Sequence, residues 1–202
     1  MLSKRPHLYE LPYALIPVLF GIQQFLEGLV WLKLLGPISH FSYLSESALT
    51  AAYSLFSQVF WPLFVPVAVG LLETIPWRRN AVAFCTLSGL TVGTFLLVAM
   101  IQRPIVAKIV DLHIAYDFNH EYKVMASLLY LVGACAGPLL SSHWSVRLFG
   151  VSALAASLLS YFVFETWFIS VWCYFAGLMS CLVLLHFYRT DAKPLKMDWT
   201  RP

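Results

Sequence analysis

Six stretches of this chain are each long enough to cross a bilayer and nearly free of charge, and this pattern limits the fold more than any other feature. They lie at roughly 12–35, 50–73, 80–101, 122–140, 144–164 and 166–188. A helix rises about 1.5 Å per residue, so about 20 apolar residues span a hydrocarbon core of about 30 Å. Hydrophobic residues make up 60% of the 202 and charged ones 11%, against about 25% charged in a soluble domain. So few charges cannot solvate a globular surface. The sequence predicts an all-α integral membrane bundle of six transmembrane helices. Its cytoplasmic N-terminus covers 1–11, one six-helix domain covers 12–188, and a cytoplasmic tail covers 189–202.

Orientation follows from the basic residues, which gather in cytoplasmic loops. With the N-terminus inside, nine of the 13 fall inside: Lys4, Arg5, Arg78, Arg79, Arg147, Arg189, Lys193, Lys196 and Arg201. Four fall outside: Lys33, Arg103, Lys108 and Lys123. Trp31 and Trp167 then sit at the outer interface, and Trp77, Trp144 and Tyr188 at the inner one, as aromatic anchors do. Lys4 and Arg5 precede an apolar run too long for a signal peptide and without a small-x-small cleavage site, so it reads as a retained first span.

The net charge of +3 is spread over helix ends and forms no patch, which argues against a nucleic-acid partner. Cys85, Cys135, Cys173 and Cys181 all lie inside apolar runs, so they read as small packing residues and not as a disulfide framework. Gly89 with Gly93, Gly133 with Gly137, and Gly177 with Cys181 repeat at the four-residue spacing that lets helices approach closely. Packing within the chain is the plain explanation, and homo-oligomerisation the other. Pro62 and Pro66 each remove a backbone donor and disturb the preceding turn, so the second span should be kinked.

Polar side chains at membrane depth are the candidates for function, because burying them is costly without a partner or a wet cavity. In "FGIQQFLEGLVW", Gln23 and Gln24 lie four and three residues before Glu27, on one helix face. Helical rise puts Gln58 at a similar depth on the second span, with Ser170, Cys173 and Tyr174 in the outer half of the sixth. Together these predict an outer polar layer that binds a small molecule, a lipid or an ion, with Glu27 the one candidate catalytic acid or base. The plainer alternative is that Glu27 and Gln58 bond each other as helix glue.

The outer segment "QRPIVAKIVDLHIAYDFNHE", 102–121, is too apolar to be freely solvated. Read as a helix after Pro104, it places His113, Asp117 and His120 on one face, residue types that bind a transition metal such as zinc or iron. Its apolar residues should dock it over the bundle and bring a histidine near Glu27 or the outer end of the sixth span. Glu73, near Arg78 and Arg79, reads as one half of a boundary salt bridge, and His40, His143 and His186 as interfacial residues at helix ends.

The strings "QQFLEGLVW", "FWPLFVPVAVGLLE" and "SVWCYFAGLMS" resemble a family of bacterial multi-spanning membrane proteins whose function is not established. That resemblance covers the first, second and sixth spans and implies a bacterial inner-membrane location. It brings no activity. Three classes of function remain open: a transporter- or sensor-like binder, a membrane-embedded enzyme acting on a lipid-like substrate, and a structural or partner-binding subunit.

Overall fold

The computed structural model describes residues 8–36, 43, 45–118 and 122–191. Six helices fall on the six apolar runs: α1 (Leu11–Leu35), α2 (Glu46–Leu72), α3 (Pro76–Gln102), α4 (Lys123–Leu139), α5 (Trp144–Val163) and α6 (Glu165–Tyr188). Five are long and apolar enough to cross a membrane, and α4 is shorter. Each packs on its neighbours in sequence, α6 closes the ring on α1, and α2 lies innermost, touching α1, α3 and α4.

Glycine and proline set the closest approaches. A Cβ on Gly89 of α3 would lie 1.8 Å from the carbonyl oxygen of Pro62, and one on Gly133 of α4 would lie 2.6 Å from the same oxygen. Backbone therefore meets backbone where α2, α3 and α4 cross, and any side chain would force them apart. The disturbance expected at Pro62 takes the form of a π-helical segment over Leu55–Phe60, just before the ring. A second π segment, Val132–Ala136, lies in α4 ahead of Pro138.

Between α3 and α4 the chain forms not a helix but a β-hairpin, β1 (Val106–Val110) antiparallel to β2 (His113–Asp117). Its two-residue turn, Asp111–Leu112, has φ of 47° and 63°, the left-handed pair that suits a tight hairpin. Strand alternation turns Ala107, Ile114 and Tyr116 inward onto Val30, Leu49, Tyr53 and Met100. A lone two-stranded hairpin is marginal in water, so this packing is what holds it.

The opposite end of the bundle is tied by charged caps. Glu73 accepts from the backbone N–H of Ile75 (3.1 Å) and of Ser142 (2.7 Å), at the starts of α3 and α5. Arg78 donates to the carbonyls of Leu140 and Ser141, both at 2.9 Å, past the end of α4. The expected salt bridge is thus replaced by two helix-end caps, each with the sign that the helix dipole favours. Burial alone would raise the Glu73 carboxyl, but the backbone donors of Ser142 and Ile75 outweigh it and hold the group below its ordinary value. His143 and His186, expected to be separate interfacial residues, pack edge to face with ring centroids 5.1 Å apart, and His186 Nδ1 lies 2.7 Å from Ser145 Oγ.

Candidate functional site

Glu27 is buried where α1, α2, α6 and the hairpin meet. Its carboxylate accepts from Tyr116 Oη and from Gln24 Nε2, each at 3.4 Å. Ser170 and Tyr53 also present hydroxyls to it, although Tyr53 Oη makes no hydrogen bond of normal geometry. Tyr53 stacks on Tyr116 with centroids 4.7 Å apart. One turn along α1, Gln23 is fully buried and accepts from Trp61 Nε1. Cys173 stands beside both Gln23 and Tyr53. Gln23 Nε2, Gln24 Oε1 and Tyr53 Oη make no hydrogen bond of normal geometry, which leaves hydrogen-bonding capacity inside the bundle.

Of the residues expected in the polar layer, the structure therefore brings together Gln23, Gln24, Glu27, Ser170 and Cys173. Tyr174 is 56% exposed and faces away, its ring against Phe175. Gln58 lines a neighbouring cleft, and Tyr53 holds the place beside Glu27. Tyr53 and Tyr116 carry the network, and the sequence reading missed both.

The hairpin docks as its apolar composition requires, but tyrosine and not histidine reaches Glu27. His113 stacks on Trp167 at the start of α6, centroids 4.7 Å apart, and Trp167 Nε1 donates to Val110 O at 3.1 Å. Asp117 pairs with Lys108 at 3.5 Å. His113 and Asp117 do share a face of β2, yet four strand residues separate them by about 13 Å, too far to hold one ion. The single helical face proposed for a metal does not exist, and His120 lies outside the described residues. Among the described residues no group of three or more His, Cys, Asp or Glu converges.

Beside the Glu27 network lies a cleft of about 680 Å³ between the first half of α4, the C-terminal half of α5 and the start of α6. Its cause is legible in the packing. A Cβ on Gly150 of α5 would lie 2.8 Å from Leu139 N, so α5 and the end of α4 are pressed together there. Toward the hairpin the two helices diverge, and the first half of α4 makes no extended contact with α5 or α6. Leu128, Leu131, Leu158 and Phe162 form apolar walls, while Lys123, Ser127, Glu165 and Thr166 supply polar groups. Tyr116 and Cys173 belong to both cleft and network; Glu27 does not line the cleft. Glu27 is therefore placed to orient Tyr116, whose phenol is raised by burial and by the adjacent carboxylate and so stays a donor.

The chain belongs to a family of unknown function, DUF6629, whose model matches residues 1–198. Comparison with curated proteins and with solved structures gives no match.

Proposed function

We propose that this protein crosses the bacterial inner membrane six times with both termini in the cytoplasm, and that its cleft binds a small amphipathic molecule of lipid type, as a transporter or sensor does. The observation that carries this reading is the cleft itself. Its volume falls in the range of about 300–1,000 Å³ usual for small-molecule sites, and its apolar walls end in a few polar groups. Val124, Leu128, Leu158 and Phe162, at its edge, are exposed apolar residues that a bilayer would cover with acyl chains. A lipid could therefore enter sideways between α4 and α5. At 17 residues α4 is about 25 Å long, enough to cross a thin or locally adapted bilayer.

An enzyme using Glu27 as acid or base is the less supported alternative, since Tyr116 and Cys173 stand between that carboxylate and the cleft. Native mass spectrometry of detergent-purified protein tests the binding reading. The natural chain should retain a lipid that Ser127→Trp, which fills the cleft from an exposed position on α4, does not. Equal retention by both would overturn it. For the topology, a C-terminal alkaline phosphatase fusion should be inactive, and high activity would contradict the cytoplasmic placement.

A further inference from the structure

Beyond the cleft lies a second chamber of about 40 Å³, walled by Ala134, Ala153 and Ala176 and closed by Phe20 and Trp61, which stack with centroids 3.8 Å apart. Tyr130, Trp172 and Cys173 line both cavities and are the partition between them. On the reading that the cleft binds a lipid, we infer that this chamber receives the end of the hydrocarbon chain, so that the protein selects single-chain zwitterionic lipids by chain length.

Four observations support the inference. The polar edges of the partition are already engaged, Tyr130 Oη donating to Ser57 O at 2.6 Å and Trp172 Nε1 to Ala153 O at 3.2 Å. A water in the chamber would find few partners, and a dry apolar void of this kind takes hydrocarbon in preference. The three alanines come from three different helices, α4, α5 and α6, and each turns only a methyl toward the chamber, which is the space their short side chains leave. A chamber of about 40 Å³, reached when the Tyr130 and Trp172 side chains of the partition part, accommodates one chain end, not two.

The mouth defines the head group. Lys123 and Glu165 both line it, with Ser127 and Thr166. Lys123 forms no ion pair with an acidic residue among the described residues. A cation and an anion on one rim complement a phosphate and an ammonium carried by the same ligand, and they disfavour a head with a single net charge.

The test uses full-length protein in nanodiscs and lysophosphatidylethanolamines of increasing chain length, brominated at the chain end. Quenching of tryptophan fluorescence reports arrival beside Trp172, and Trp172→Phe identifies that contribution. Counted per probe molecule already in the bilayer, Trp172-dependent quenching should rise with chain length until the chamber is filled and then level off, the gain coming from packing of the chain end against the chamber walls and not from leaving water. In Ala153→Val and Ala134→Val the plateau should begin at a shorter chain, while the shortest probe binds as to the natural protein and shows the variants are folded. A plateau unchanged in both variants would overturn the chain-length inference and leave the cleft reading standing. Tighter binding of lysophosphatidylglycerol than of the zwitterion would overturn the head-group assignment. Absence of saturable binding at every chain length would overturn the cleft reading along with it.

Discussion

In its second half α4 is a helix of small residues pressed against backbone; in its first half it is a helix of larger ones that stands away from α5 and α6. Gly133 meets the Pro62 carbonyl, and a Cβ on Gly137 would lie 3.2 Å from Pro66 Cβ. Val124, Met125 and Leu128 are exposed. The proposed bilayer setting gives the contrast a physical origin. Between helices in lipid, burying leucine gains little over leaving it among acyl chains, so close contact comes from small residues that admit dispersion contacts along the backbone. Where side chains are large, the helices part. One helix can thus be anchored at one end and line a cleft at the other.

The largest effect should come from breaking the anchored half. Gly89→Ala places a Cβ against the Pro62 carbonyl at a distance no relaxation of side chains relieves, and should cost about 3 kcal/mol or more in thermal or denaturant unfolding. Gly28→Ala, with nothing within 4 Å, should change stability by less than about 0.5 kcal/mol. Similar losses for the two would deny that the crossing of α2, α3 and α4 is the tight region.

Next comes the Glu73 cap, which ties the start of α3 to the start of α5. The Glu73 carboxyl lies below its ordinary 4.5 in the folded chain, so its stabilisation is present above that value and fades as pH falls through the lowered one. Glu73→Gln should lose about 1–2 kcal/mol at neutral pH. The deficit should shrink as pH falls into the acid range, and a deficit independent of pH would contradict the charged cap.

A smaller effect belongs to the boundary between the halves. Tyr130→Phe removes the donor to Ser57 O inside the α2 π segment and should cost about 1 kcal/mol. Smallest is Leu128→Ala, in the open half, which should cost under about 0.5 kcal/mol because more than half of the side chain is exposed. A loss as large as that of a core leucine would mean that the cleft is closed.

The long apolar runs were legible because a span needs only length and hydrophobicity, and α4 shows where that rule thins out, since its run yields a helix of 17 residues. The burial of Glu27 with Gln23 and Gln24 was legible too, from three- and four-residue offsets on one helix. Its partner across the interface was not. Equal depth pointed to Gln58, but that estimate assumes an unbroken α-helical period, and the π segment Leu55–Phe60 shifts the register that Gln58 itself belongs to. The hairpin was missed because an offset of four keeps His113 and Asp117 on one face in a strand as in a helix. Its turn also lacks the glycine that usually signals one, placing Asp111 and Leu112 at positive φ instead. Ile105, Val106, Ile109, Val110 and Ile114, rich in β-branching, were the signal available. The cleft depends on how far α4 and α5 diverge, and joins Lys123 to Glu165 across 42 positions of sequence, 165 less 123, so no local pattern announces it.

The most direct test of the account is photolabelling in nanodiscs with a lysophosphatidylethanolamine that carries a diazirine on its chain, followed by peptide mapping. The account predicts saturable labelling concentrated in 123–131 and 157–173, competed by unlabelled lipid and lost in Ser127→Trp. Labelling spread evenly over outward-facing residues such as Phe25, Phe84 and Leu87, without competition, would show the lipid to be bulk solvent and the cleft no binding site.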